Sequence, residues 1–382
     1  MNVDKTVRTF LDFYQDRGHL LISEHSLVPP PGDPVLFTTS GMHPLTPYLS
    51  GRPHPSGPRL VNLQRCLRTT DLEEVGDDTH LTVFQMLGSW SLGSYPGVRS
   101  LIWGYELMRD GFGIGSDRLH VTVHEDDVES LRTWERIGVP VELTRDENWW
   151  SNGPTGPCGP DSEIFVWVGD TPPEGTPTTD PRWTEVWNHV MMRYLRHEDG
   201  RLEPVSPERV DTGMGLERML TVLQGVRSVF DTDVFRPWSL RELWPLDEQS
   251  QRVVTDHLRS SVVVIGDGVR PSPNGRGYVL RRLIRRVLTR LWRVDPDRTL
   301  GDLPTSPIQS TIDHFGQRTG VGPVREVLLG EEDRFRGLME RGRPVVSRRR
   351  SRGPLTDDDF RYLHDTYGLP RELVVDLLKE PV

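Results

Sequence analysis

Apolar positions along the chain fall into two rhythms. Near the N-terminus Val7, Phe10, Leu11 and Tyr14 recur at helical spacing and predict an amphipathic helix. The stretches PVLFTTSGM (34–42), HLTVFQMLG (80–88) and EVWNHVMMRYLR (185–196) read as strands, RLHVTVHEDD (118–127) as a strand and then a loop or helix start, and EDGRLEPV (198–205) as a hairpin return. VRSLIWGYELMRDGFG (98–113) reads as a helix stopped by glycine, and LERMLTVLQG (216–225) as another. SNGPTGPCGPDSEIFVWVG (151–169) is a Gly/Pro-rich turn feeding a strand, and 170–182 a surface loop. From residue 240 onward long helical patterns take over: 250–268, 276–294 and 324–342. Segment 343–356 reads as an exposed linker. The pattern predicts an α+β fold, with a mixed domain dominated by antiparallel strands over 1–242 and a mostly helical domain over 243–382.

Composition narrows the function. The chain has 382 residues and a net charge of −10, which argues against a uniformly nucleic-acid-coating protein. Basic charge is nonetheless concentrated: RGYVLRRLIRRVLTRLWR (276–293) carries seven arginines and no acid. Lysine occurs only as Lys5 and Lys379, which excludes chemistry needing a mid-chain lysine. Two cysteines, Cys66 and Cys158, build neither a disulfide framework nor a four-cysteine zinc site. The N-terminus lacks a signal-peptide layout and no apolar run is long enough to span a membrane, so the expected location is cytoplasmic. Alanine is absent from all 382 residues. At roughly 5% usage about 19 would be present. An Arg-, Gly- and Pro-rich, Lys-poor chain points to GC-rich coding, which favours alanine, so the absence looks selected.

The chemistry-bearing words are spread along the first domain. DTGMGLER (211–218) places two glycines between an acid and an arginine. Alone it reads either as a tight turn or as a phosphate-cradling strand-to-helix turn. Upstream stands Arg68, then an acidic loop, then His80 and Phe84 four residues apart, on one face if both lie on a strand. An arginine with a histidine and an aromatic ring on the next strand can hold a phosphate chain and stack a base. It can equally be a hairpin with a core Phe and a surface Arg.

Collinear words settle between these readings. LVPPPGDPVLFTTSGM, QRCLR, FQMLGSWSLGSY, GPTGPCGP, VWNHV, VDTGMGLER, DHLRS, RGYVLRRLIRR and HDTYGLP follow one another from residue 8 to about 378. In this order they resemble the alanyl-tRNA synthetases, of the class II aminoacyl-tRNA synthetases. The resemblance implies a class II antiparallel sheet flanked by helices, ATP with Mg²⁺ as cofactors, and alanine and tRNA(Ala) as partners, with no membrane and no zinc in this segment. Arg68 and Arg218 are then the catalytic arginines of motifs 2 and 3. Arg68 would stabilise charge building on the α-phosphate. His80 would reach the outer phosphates, Phe84 would stack on adenine, and Gly213 and Gly215 would let the backbone approach the nucleotide. Asp211 would pair with the alanine ammonium, and Met42, Trp150 and Val190 would limit the side-chain pocket to a methyl. Arg276, Arg282, Arg286 and Asp365 correspond to nucleic-acid-facing positions, with Arg282, Arg286, Arg290 and Arg293 on one helix face and Leu283, Val287 and Leu291 on another.

The chain also departs from the family. Only Thr69-Thr70 separates Arg68 from Asp71, where a longer Gly-rich segment is usual. Pro273 stands where an acceptor-reading Asn is expected, with Asn274 next; Gln85 replaces a glutamate and Asp161 a cysteine. The zinc-dependent editing domain and the C-terminal domain of the family find no counterpart here. The resemblance implies a compact alanine–tRNA ligase, and the alanine-free composition suits a backup or resistance enzyme. The departures keep open a repurposed ligase that passes the alanyl group to a carrier protein or small molecule.

Overall fold

The computed structural model describes residues 1–367 together with 369, 371, 374 and 375. The chain divides into two compact units, Met1–Arg236 and Pro237–Val382. The first opens with α1 (Val3–Gln15), capped by the Asn2 side chain, which accepts the Lys5 amide proton. It buries Phe10 and Tyr14, while Val7 and Leu11 lie half-buried at its edge. There follow β1 (Leu20–Leu21), a short α2 (Thr46–Leu49), β2 (Arg59–Leu67), β3 (Val83–Ser91), α3 (Gly97–Glu106), β4 (Leu119–His124), α4 (Val128–Ile137), β5 (Val141–Thr144), β6 (Trp149–Ser151), β7 (Gly156–Trp167), β8 (Trp183–Arg196), β9 (Leu202–Gly215) and α5 (Leu216–Gln224).

The nine strands form one sheet in the order β1-β2-β3-β9-β8-β7-β4-β5, with β6 on β7. Its centre is antiparallel, but both edges, β1 on β2 and β4 on β5, are parallel. The sheet is therefore mixed, as short returning edge strands require crossover connections. One face packs on α1, α3 and α5 through Phe10, Tyr14, Leu87, Leu101, Trp187, Met214 and Leu220. The other carries a smaller cluster of Met42, Leu45, Leu49, Leu60, Trp90, Val190 and Met192.

The second unit holds α6 (Glu248–Gly266), α7 (Gly275–Val294), α8 (Thr305–His314), α9 (Val321–Arg350) and α10 (Asp357–Tyr367). The Asp247 side chain caps α6 by accepting the Ser250 amide proton at 2.9 Å. Leu280, Leu283, Ile284, Val287, Leu288 and Leu291 give α7 a buried stripe. Buried Glu331 of α9 bridges Arg281 and Arg285 at 3.3 and 2.8 Å.

Two expectations are corrected. Segment 34–42 is not a strand, because its buried Phe37 and Met42 have no ladder beside them and the chain runs as turns into a 3₁₀ turn at His43–Leu45. The linker expected at 343–356 is helical to Arg350, through Pro344, since buried Gly342 and Val346 hold it against its neighbours. Gly368 and Pro370 of HDTYGLP, and Lys379, lie outside the described residues.

Candidate active site

The central strands bring the words together by register. Trp90 of β3, Asp211 of β9 and Val190 of β8 pair in one lateral row, and Leu60 and Asp161 extend it at either end. Directly paired residues share a face. This is the face of the Met42 cluster, and Trp150 packs against that cluster from the side. Met42, Val190, Trp150 and Asp211 are thus gathered at one place, with Met42 and Val190 2% and 3% exposed. Burial pushes the Asp211 carboxyl up to about 7, with the Trp90 indole pulling the other way.

One row further along, Gly88 pairs with Gly213 and Gly213 with Asn188. A Cβ on Gly88 would overlap the Trp90 ring, and one on Gly213 would stand 2.8 Å from Sδ of Met86. The two glycines leave room for these side chains and keep the floor flat. Gly215 differs, for a Cβ there would meet only the Arg218 stem at 3.6 Å.

Beside this floor opens a cavity of about 560 Å³, open solvent at its mouth included. Arg68, His80, Phe84, Gly213, Gly215 and Arg218 all line it. Arg68 lies just past β2; its Nε donates to the Thr39 carbonyl at 3.2 Å and its guanidinium carbon stands 5.0 Å from the Phe84 ring centre. Arg218, in the first turn of α5, donates from Nη1 to Glu185 Oε2 at 2.7 Å. His80 sits in the loop before β3 rather than on the strand, where its Nδ1 pairs with Asp77 Oδ2 at 2.5 Å. The Asp77-Thr79-His80 turn ends before pairing can begin, because Asp77 accepts the amide protons of Thr79 and His80.

Sequence reasoning missed Asp71, Met86, Glu185 and Glu217 on the cavity wall. Glu217 is 2% exposed and accepts the Gln85 amide proton at 2.9 Å. Glu185 faces Phe165 just beyond a bulge in the β7–β8 ladder, so strand alternation alone would have misplaced it. Glu163 and Asp161, two apart on β7, also belong to the acidic face; burial, the first cause, raises both, Asp161 to about 7. Among the described residues no group of three or more His, Cys, Asp or Glu could hold a metal ion. Of the three wall carboxylates Glu217 is taken up by the Gln85 amide, and the other two, Asp71 and Glu185, suit Mg²⁺ held chiefly by phosphate oxygens rather than by a protein cage.

The remaining predicted residues lie in the second unit. Arg276 and Arg282 are half-buried on α7, and Arg286 donates from Nε to His257 Nε2 at 3.1 Å. Asp365 is exposed on α10 and pairs with His364 at 2.9 Å.

The mixed sheet thus brings two arginines, an aromatic ring and a flat glycine floor to one cavity. The family profile for tRNA synthetases class II (A) matches residues 5–381. The alanine–tRNA ligase of Treponema pallidum (strain Nichols) is 40% identical over 427 residues, spanning 100% of this chain and 69% of that protein. That of Borrelia hermsii (strain HS1 / DAH) is 37% identical over 417 residues, with 100% and 70% covered. For Rubrobacter xylanophilus the alanine–tRNA ligase is 37% identical over 415 residues, with 98% and 46% covered. The chain belongs to the class II tRNA synthetases, in the branch of the alanine–tRNA ligases.

Proposed function

We propose that the protein activates alanine with ATP and transfers the alanyl group to the 3′ end of tRNA(Ala). The observation that carries the reading is the lateral row Trp90–Asp211–Val190 beside a cavity shared by Arg68 and Arg218. Asp211 offers a buried carboxylate to an ammonium group, while Val190, Met42 and Trp150 leave room for a small side chain. The amino acid carboxylate then faces the arginine cavity. There it attacks the α-phosphorus of ATP, forming the acyl–phosphate anhydride as the bond to pyrophosphate breaks. Arg68 meets the charge that builds on the α-phosphate, and Arg218 and His80 hold the outer phosphates. Phe84 offers a face to the base. Bound Mg²⁺ would neutralise phosphate charge, with Asp71 and Glu185 nearest to hand.

The absence of alanine from the sequence supports a backup or resistance role, in which the enzyme is made while other alanylation fails. A second reading has its own observation. Arg68 and Asp71 are joined by Thr69-Thr70 alone, and the chain enters a 3₁₀ turn at once, Thr70–Glu73. No extended loop reaches out there, which suits a smaller acceptor such as a carrier protein or small molecule. Alanine-dependent ATP–pyrophosphate exchange followed by charging of tRNA(Ala) with labelled alanine decides the matter. Exchange and charging together are expected. Exchange without charging moves the assignment to the second reading, and no exchange with any amino acid overturns both.

A further inference from the structure

The catalytic reading leaves one property of the chain unused: its 382 residues contain no alanine, although small side chains are plentiful. If the fold itself rejected alanine, each small residue would have a structural task. Many do. The Ser100 hydroxyl bonds His189 Nδ1 at 2.9 Å, and the Ser130 hydroxyl donates to Asp127 at 2.5 Å. Gly104 of α3 lies against His189, whose ring would stand 2.8 Å from an added Cβ, and a Cβ on Gly277 would collide with the Arg270 carbonyl.

Other positions have no such task. Ser260, deep in α6, is 0% exposed, and among the described residues its Oγ has no hydrogen-bond partner. A buried hydroxyl without a partner is unfavourable, and alanine would keep the Cβ while removing it. Gly330 lies well inside the 30-residue α9 with a helical backbone, and beyond its chain neighbours and the helix's own backbone a Cβ there would meet no atom of the described residues within 4 Å. Alanine is the most favourable helix residue and glycine among the least. At two positions, then, alanine is the side chain that packing and backbone physics favour, and at neither is it used.

We propose that the exclusion of alanine is a selected property of this sequence that releases its synthesis from the supply of alanyl-tRNA. The inference rests on the alanine-activating reading: the one amino acid missing from the catalyst is the one whose activated form it makes. A catalyst free of alanine can be translated when its own product has run out. Its appearance therefore restores alanylation rather than waiting on it.

The test compares the wild-type chain with Ser260→Ala and Gly330→Ala, singly and combined. Purified single variants are expected to keep wild-type alanine-dependent exchange. Their melting temperatures should hold or rise, by on the order of 2–4 °C for Ser260→Ala. Variants that unfold or melt clearly lower would show that the fold excludes alanine, overturning the proposal. The second arm induces each chain in a host whose own alanine–tRNA ligase has first been shut off. Wild type should accumulate nearly as before the shut-off, and the double variant should fall by an order of magnitude or more. Equal accumulation of the two overturns the proposal. If wild type accumulates and the variants are stable but no chain supports alanine-dependent exchange, release from alanyl-tRNA supply stands and only the reading of the catalytic site falls.

Discussion

Arg68 holds its guanidinium carbon 5.0 Å from the centre of the Phe84 ring while its Nε is fixed by the Thr39 carbonyl at 3.2 Å. Among the described residues its two terminal nitrogens have no bonding partner, so the fork is oriented before any phosphate arrives. A lysine cannot reproduce this, since it offers a point charge without a planar fork. Arg68→Ala is expected to lower the rate of alanine-dependent exchange by about 10²–10³-fold, in the range for a lost charge-stabilising donor. Arg68→Lys should recover little of it. Full rescue by lysine, with unchanged KM for ATP, would mean that charge alone is required.

Asp211 carries a pH prediction. Its carboxyl is pushed up to about 7 by burial, and only its ionised form attracts an ammonium group. In the free enzyme kcat/KM for alanine should therefore rise with pH through about 7 and then level. Asp211→Asn should flatten this limb and raise KM for alanine, leaving KM for ATP close to wild type. A pH profile unchanged by the substitution removes Asp211 from ammonium recognition.

The neighbouring strand predicts a stability effect of definite sign. Glu163 is held well above the carboxylate range, by burial first and by Glu185 and Asp161 next. In the unfolded chain it ionises near its ordinary value, so above that value the folded state binds the extra proton. Stability then falls as pH rises, from the unfolded pKa toward the raised folded one. Glu163→Gln, which mimics the protonated form, should raise the melting temperature at pH 8 and change it little at pH 4. Equal shifts at both pH values would point to packing instead.

How far the sequence disclosed all this depends on periodicity. Helices α6, α7 and α9 are long enough for a 3.6-residue stripe to declare itself, and β8 and β9 are bounded by a hairpin return. The cavity-lining Arg68, Phe84 and Arg218 were legible because each sits in a short recognisable word of the sequence. Glu185 was not, since a glutamate early in a strand reads as a solvated position and only the bulge opposite Ile164–Phe165 turns it toward Arg218. Residues 34–42 failed for the opposite reason: their apolar run is buried by loop packing, which leaves no period. Pro344 reads as a helix breaker in isolation, yet buried Val346 outweighs it.

The last prediction separates structure from nucleic-acid contact on α7. Arg286, which shares a helix face with Arg282, donates to Nε2 of His257, and Nδ1 of the same ring pairs with Asp256 at 2.8 Å. Both His257 and Asp256 are 0% exposed. An accepting Nε2 requires the proton on Nδ1, where it can be donated to Asp256. Burial meanwhile keeps the ring neutral by lowering its pKa, against the pull of the carboxylate. Removing Arg286 would leave a buried acceptor without its donor, at a cost of about 1–3 kcal/mol. Arg286→Ala should therefore lower the urea midpoint of the protein whether or not tRNA is present. Any loss of tRNA affinity should follow that destabilisation and disappear in the cold, where the fold is retained. A variant of wild-type stability that binds tRNA less tightly, with the salt dependence reduced by about one counterion, would instead make Arg286 a direct phosphate contact.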